Sequence, residues 1–227
     1  RTAHTFPPTP RLARMDELGT LTAELVSTPS HDDETEAGDV IESWLREETD
    51  ASVTRDAAGN VVARANEGRG ASLALVGHHD VVPPAERQVV DGEYVVEERD
   101  GRLYGRGAAD MKGAVAAAML AFRDASDAAD GEVVFASFVG EEVGGTGVRA
   151  ALDEGLELDY AVVAEGSTNY SGPDRTDVVV AHRGRRASRL DVTGTASHAS
   201  EPEHGENAVY RACDAVDVVR DCEVPTV

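Results

Sequence analysis

The feature that most constrains the fold is a short apolar run, residues 72–76, that leads through Gly77 into a polar triplet. The run carries no charge and ends at a glycine, which is typical of a buried strand. Side chains alternate along an extended segment, so we expect His78 and Asp80 to face one side and His79 the other. Asp80 is then either a metal ligand or the carboxylate that orients a metal-binding His78. The alternative is a solvated, polar strand end.

Further acidic residues follow predicted buried strands or open a predicted helix, namely Asp110, the pair Glu141 and Glu142, and Glu165. Each has an ordinary explanation: a helix N-cap for Asp110, a solvated turn for the pair, and a loop acid for Glu165. In a parallel or mixed sheet, however, these strand ends converge on one rim. Converging carboxylates need cations between them, and an oxygen-rich site with a histidine suits zinc, manganese or cobalt better than calcium. A carboxylate left beside the metal can serve as general base for water.

The hydrophobic pattern predicts an α/β fold in which helices and strands alternate. Helical apolar spacing predicts helices over residues 15–28, 37–45, 111–125, 147–154 and 207–220. Short apolar or β-branched runs predict strands over residues 61–63, 72–76, 132–139, 159–164, 178–180 and 190–192. Residues 83–109 are expected to be a loop with some β character.

A change of character near residues 174–177 predicts a domain boundary, with a catalytic domain at 1–176 and a second domain at 177–227. The second domain would contain a hairpin-type strand pair and the last helix, which Asn207 is expected to cap. We expect the inner side of that helix to comprise Ala208, Cys213, Val216 and Val219. Cys213 and Cys222 suggest no disulfide framework and are interpreted as small apolar fillers.

The charge balance is strongly acidic, with 43 Asp and Glu against 21 Lys and Arg and a formal net charge of −22. Only one of the 21 cations, Lys112, is a lysine. Because the acids are spread along amphipathic segments, we interpret this as the surface of a halophilic, cytoplasmic protein and not as a disordered acidic tail. Such a surface disfavours nucleic acids and anionic membranes. No apolar run reaches the ~20 residues of a membrane span, and the start of the chain, which lacks Met, has no secretory signal core.

Five ordered motifs resemble the family of di-zinc hydrolases that includes acetylornithine deacetylase, succinyl-diaminopimelate desuccinylase, aminoacylase and carboxypeptidase G-type enzymes. They are GHHDVVPP, LYGRGAADMKGA, SFVGEEVGGTG, AVVAEGS and GTASHASEPEHGENAV, and the resemblance covers the chain from about Glu17. It implies a zinc-aminopeptidase-like α/β domain, a mixed sheet flanked by helices. It also implies the first part of a ferredoxin-like lid domain that mediates homodimerisation.

The resemblance also implies a role for each matching residue. His78 and Glu165 would bind the first zinc, Glu142 the second, and Asp110, which a cis peptide commonly follows, would bridge both. Asp80 would orient His78, and Glu141 would be the general acid and base. His198 would reach across the dimer to polarise the substrate carbonyl, a role that suits the developing oxyanion of amide hydrolysis. Cobalt or manganese are expected substitutes for zinc.

The match departs from the family pattern at the end of the chain. The family's last metal ligand is a histidine near the C-terminus, whereas no histidine follows His204 here. The resemblance therefore implies a C-terminally truncated member, whose second metal keeps only Asp110 and Glu142 from this chain. Two groups of basic residues remain. The arginines are interpreted either as a substrate-carboxylate site or as surface partners for acids (Arg183, Arg185 and Arg186). The histidines are interpreted as structural or solvated (His79, His182 and His204).

Three functions follow as hypotheses. The first is a hydrolase that cleaves the amide bond of an N-acyl amino acid. The second is a non-catalytic remnant that binds at most one metal ion or serves as a structural protein. The third is a metallopeptidase acting on short peptides. The glycine-rich GRGAADMKG segment lacks the P-loop spacing, which argues against a nucleotide site.

Overall fold

The computed structural model describes residues 16–166, 171–172, 177–181 and 189–222. The chain divides into two compact units, Arg1–Pro173 and Asp174–Val227. The helices of the first unit are α1 Glu17–Ser27, α2 Thr35–Glu48, α3 Gly113–Ser126 and α4 Thr146–Asp153. Its strands are β1 Ser52–Arg55, β2 Val61–Ala65, β3 Ser72–His78, β4 Val89–Val90, β5 Glu93–Tyr94, β6 Glu97–Arg99, β7 Arg102–Tyr104, β8 Glu132–Phe138 and β9 Tyr160–Val163.

A five-stranded mixed sheet, with strand order β1-β2-β8-β3-β9, forms the centre of the first unit. β3 runs parallel to both β8 and β9, whereas β2 pairs antiparallel with β8 and with β1. In the β3–β8 register His78 lies opposite Phe138. Because β3, β8 and β9 are parallel, their carboxyl ends lie at the same edge of the sheet, which is the edge that the sequence predicts for the site.

Helices cover the sheet on both faces. The main core is formed by α1, α2 and α3 against one face, where Phe122 of α3 contacts Phe135 of β8 with ring centroids 6.3 Å apart. A smaller cluster on the neighbouring positions of β8, Ala136 and Phe138, includes Ala151 of α4. Every residue of β8 is buried, as expected of a central strand covered on both sides. The mixed α/β sheet flanked by helices is confirmed.

The first-unit helices and strands agree with the sequence pattern except at β1. β1 was not predicted, because Val53 is its only buried residue and a single apolar position has no detectable period. The expected β character of the loop takes the form of two short hairpins, β4–β5 and β6–β7. None of the described helices is both long enough and apolar enough to cross a bilayer.

The described residues of the second unit form one α-helix, α5 Ala208–Asp221, a short 3-10 helix, Pro202–His204, and an isolated bridge between Thr195 and Glu206. Asn207 caps α5 as expected, since its side chain accepts a hydrogen bond from the backbone N–H of Val209 at 2.9 Å. The strands predicted over 178–180 and 190–192 are wrong, because the described residues 177–181 and 189–194 form no strand. A β-branched run favours a strand only where a second strand pairs with it.

The predicted inner side of α5 is also wrong. None of its residues is buried; Val216 and Val219 are more than half exposed, and Cys213 and Cys222 are free, exposed thiols rather than apolar fillers. The described elements of this unit bury too little apolar surface to form a core by themselves. The identification of this unit as part of a ferredoxin-like lid stays a prediction.

Candidate metal centre

His78 ends β3 with its imidazole held on both nitrogens. Nδ1 lies 3.0 Å from the backbone oxygen of Asp80 and 3.3 Å from that residue's carboxylate. Nε2 lies 3.2 Å from Asp110 Oδ1 and 3.5 Å from Glu165 Oε2. The side chain is 3% exposed. Because Nδ1–H has two acceptors, Nε2 is the nitrogen turned toward the acidic rim, as a metal-binding histidine requires.

His79 points away from this rim, into the sheet. Its Nδ1 lies 2.8 Å from Ser137 Oγ, and its Nε2 has no hydrogen-bond partner among the described residues. Burial lowers the pKa of His79 to about 3, so the ring is neutral at ordinary pH. The residue is structural, as the alternation of side chains along β3 indicates.

Asp110 lies in an irregular turn, Ala108–Lys112, that joins the glycine-rich loop to α3. The Asp110–Met111 peptide bond is cis, as the resemblance implies. Asp110 does not cap α3, because Lys112 occupies the N-cap position. Gly107, with φ +83°, brings the loop so close to Val81 that a Cβ on this glycine would lie 2.5 Å from the valine side chain. The turn therefore lies directly beside the end of β3.

Glu141 and Glu142 form a tight turn after β8, and Asp80 holds that turn. The two Asp80 carboxylate oxygens accept the backbone N–H groups of Glu141 and Glu142, each at 3.0 Å. Gly140 supplies the positive φ, +61°, that the turn needs. One carboxylate thus contacts both the histidine at the end of β3 and the glutamate pair at the end of β8.

The electrostatics of this site call for a cation. Burial raises the pKa of Glu142 and of Glu165, and the negative charge of Asp110 raises both further. Burial opposes ionisation of His78 and Asp80 as well, but their mutual hydrogen bond and charge outweigh it. The pKa of His78 therefore rises to about 9 and that of Asp80 falls.

Three of the predicted ligands meet at one point. Ligand atoms of His78, Asp110 and Glu142 all lie within 4.8 Å of one another, close enough to hold one ion or two adjacent ions. Glu165 approaches the same imidazole, and it lines a cavity of about 250 Å³ together with Glu141. One nitrogen and several carboxylate oxygens form a donor set that fits zinc. The described residues of the first unit thus bring together every site residue that the sequence predicts there.

The predicted site residues of the second unit are only partly described. His198 is exposed, and its Nδ1 accepts the backbone N–H of Ser200 at 3.2 Å and lies 2.7 Å from that residue's hydroxyl. His204 is exposed beside Glu203. Arg183, Arg185, Arg186 and His182 lie outside the described residues.

Sequence reasoning missed two buried polar residues beside the site, Asn60 and Lys112, both 0% exposed. Asn60 bonds to the backbone of Val139 and Gly147 on either side of the glutamate turn. Lys112 bonds to the end of α1. For Lys112 the signal was its uniqueness, since it is the only lysine of the chain.

Comparison with known proteins agrees with this geometry. The succinyl-diaminopimelate desuccinylase of Bordetella avium (strain 197N) is 33% identical over 177 residues, which are 73% of this chain and 45% of that protein. The acetylornithine deacetylase of Proteus mirabilis (strain HI4320) is 32% identical over 152 residues, or 66% of this chain and 37% of that protein. The chain therefore spans less than half the length of these relatives.

Solved structures share the fold. A tripeptidase from Staphylococcus aureus subsp. aureus Mu50 superposes with a TM-score of 0.59 at 23% identity, covering 88% of this chain and 55% of the tripeptidase. Residues 74–223, which hold every residue of the candidate centre, match Peptidase family M20/M25/M40. The chain belongs to this family of metallohydrolases, as the five motifs indicate.

Proposed function

We propose that this chain carries the metal-binding and acid–base groups of a hydrolase that cleaves the amide bond of N-acyl amino acids. The observation that carries the proposal is the meeting of His78, Asp110 and Glu142 within 4.8 Å, with Glu141 next to them on the same turn. Two zinc ions are proposed, with cobalt or manganese as substitutes. His78 and Glu165 would hold one, Glu142 the other, and Asp110 would contact both.

The geometry suggests how the residues divide the work. Asp80 fixes the His78 ring from Nδ1 and holds the backbone of the glutamate turn, so one side chain orients ligands from two strands. Glu141 is left free to take a proton from the attacking water and return it to the leaving amine. When bound, zinc would activate that water and polarise the scissile carbonyl.

The substrate class rests on the relatives. The two relatives that are similar in sequence are a desuccinylase and a deacetylase, which favours an acylated amino group as the target. A small-peptide metallopeptidase is the second candidate, since the fold is also that of a tripeptidase. We further propose homodimerisation through the second unit, with His198 acting on the partner's substrate. A cytoplasmic location is part of the proposal and fits two free cysteines.

The test is zinc content per folded chain together with turnover in molar KCl. N-acetyl amino acids, N-succinyl amino acids and free dipeptides are offered separately. We expect zinc binding and release of amine from an acylated amino acid. Cleavage of dipeptides alone would favour the peptidase, and zinc binding without any turnover would favour a non-catalytic metal-binding protein.

The adjacent glutamates provide a matched pair of variants. Glu141→Gln should keep zinc and lose turnover by about 100-fold or more, the usual size of a general-base contribution. Glu142→Gln should lose one of the two zinc ions, the one that Glu142 would hold. If both variants kept zinc and full turnover, the assignment of roles within the pair would be wrong.

A further inference from the structure

Lys112 is the only lysine among 21 basic residues, and its side chain is completely buried. Its Nζ donates to the backbone oxygens of Leu25 and Thr28 at 2.8 and 2.6 Å. These carbonyls lie at the end of α1, where the helix dipole favours a cation, and the Leu25 oxygen also accepts the N–H of Thr28 at 3.3 Å. The Lys112 ammonium group therefore connects the start of α3 to the end of α1, more than 80 residues away in sequence.

The backbone of Lys112 is fixed as well, and the segment that it closes carries Asp110. Its N–H donates to the oxygen of Gly107 at 2.9 Å. Between these two residues the chain leaves helical geometry, with φ/ψ of −132°/94° at Asp110 and −131°/28° at Met111. Such a segment has little regular hydrogen bonding of its own. Its position therefore depends on the ties at its ends and on Met111, which is buried in the main core and whose Sδ accepts the N–H of His78 at 3.3 Å.

A purely structural role does not call for a lysine here. Burying an ammonium group costs free energy, and an apolar side chain of similar size fills a core position without that cost. An arginine, the chain's usual cation, presents a planar fork of five donors where only two carbonyl oxygens converge. Position 112 thus holds a lysine whose burial costs free energy, in a chain whose other Lys and Arg positions are all arginine.

We propose that Lys112 is a positioning residue, which holds the Asp110 carboxylate where His78 and Glu142 meet it by clamping the loop to two carbonyls at the end of α1. The inference rests on the proposed metal centre. Lys112 touches neither metal nor substrate in this role, and an arginine cannot reproduce the clamp.

The test compares zinc affinity, measured by chelator competition, and the visible spectrum of the cobalt-loaded protein in three variants. Lys112→Met removes the clamp, and Lys112→Arg keeps the charge but changes the donor geometry. Met119→Ala is the control, because it opens a cavity at a fully buried position of the same helix. Urea unfolding of the metal-free proteins measures how far each variant is destabilised.

We expect both Lys112 variants to bind zinc about tenfold more weakly or worse, in the range found for residues that orient ligands, and to change the cobalt bands. Met119→Ala should leave affinity and spectrum unchanged despite its lower stability. Wild-type affinity and spectrum in Lys112→Arg would overturn the proposal, as would losses that merely follow stability across the three variants. If Lys112→Met does not fold, Lys112→Arg decides. Failure of the wild type to bind zinc would instead count against the metal centre itself.

Discussion

At the scale of single residues, the imidazole of His78 couples the site to pH. Burial lowers its pKa, but the hydrogen bond and charge of Asp80 and the charge of Glu165 outweigh that effect and raise it to about 9. In the metal-free chain the ring is therefore protonated near neutral pH. The same Nε2 would have to bind zinc, so binding must displace the proton.

The expected result is release of close to one proton per chain on zinc loading at pH 7.5, with the affinity of the zinc that His78 binds rising about tenfold per pH unit between pH 6.5 and 8.5. The sign follows from the raised pKa. Protonation of His78 stabilises the metal-free fold fully below its ordinary pKa of about 6.5, and this contribution is lost as the pH rises through about 9. The same proton competes with zinc. Calorimetry in buffers of different ionisation enthalpy measures the proton count.

Two variants test the assignment to His78. Asp80→Asn removes the charge that raises the pKa of the ring, so it should release fewer protons on binding. His204→Gln removes an exposed imidazole and should change nothing. Zinc affinity that is flat from pH 6.5 to 8.5 in the wild type would contradict the role of His78.

At the scale of the elements, the glutamate turn depends on the β1–β2 connection. Asn60 Nδ2 donates to the oxygen of Gly147 at 2.9 Å, and its Oδ1 accepts the N–H of Val139 at 3.0 Å. Asp56 in turn accepts the Asn60 side chain and three backbone N–H groups of the same connection. One buried amide thus holds the backbone on both sides of the turn.

Replacing Asn60 with Leu should cost about 2–5 kcal/mol of the free energy of unfolding, because two buried backbone groups lose their partners. Urea unfolding of the metal-free protein measures this cost. Thr54→Val is the matched control on the same strand pair, since it removes one exposed hydrogen bond to Val62 and should change stability by less than about 0.5 kcal/mol. Equal stability of the two variants would show that Asn60 is dispensable.

How far the sequence predicts these elements depends on whether a signal is local. The strands β3, β8 and β9 are continuous apolar runs, and the polar residues directly after them had to meet because parallel strands end at one edge. Asn60 and Lys112 could not be assigned in this way, since their partners are backbone groups about 80 residues away. The strands predicted over 178–180 and 190–192 failed for the converse reason: a local β preference does not by itself form a strand, and neither run pairs with another described segment.

At the scale of the whole molecule, stability depends on a balance between repulsion among the acidic groups and ion pairing of acids with arginines. The net charge is −22, so acidic groups repel one another over most of the surface. Arginines offset this locally; the partly buried Arg123, for example, lies beside Glu17, Glu48 and Asp124. Each exposed pair is worth at most about 1 kcal/mol. With twice as many acids as bases, repulsion should outweigh the pairs.

Salt should therefore stabilise the fold. The screening length falls from about 10 Å at 0.1 M salt to about 3 Å at 1 M. Salt therefore weakens both the repulsion between acidic groups and the attraction within ion pairs, but it removes more repulsion than attraction. We expect the free energy of unfolding to rise by at least about 2 kcal/mol between 0.1 and 2 M KCl, more than the loss of one exposed pair would take away. Urea unfolding curves at a series of KCl concentrations measure the effect.

The control is a triple variant, Glu67→Gln with Asp91→Asn and Asp100→Asn, which neutralises three exposed acids. The side chain amides suit the positive φ of 53° at both aspartate positions, so the fold should be kept. Because charge repulsion scales with the square of the net charge, the salt response should shrink by about a quarter. A stability that is flat or falls with KCl in the wild type would contradict the halophilic interpretation. An undiminished response in the triple variant would show that salt acts through something other than net charge.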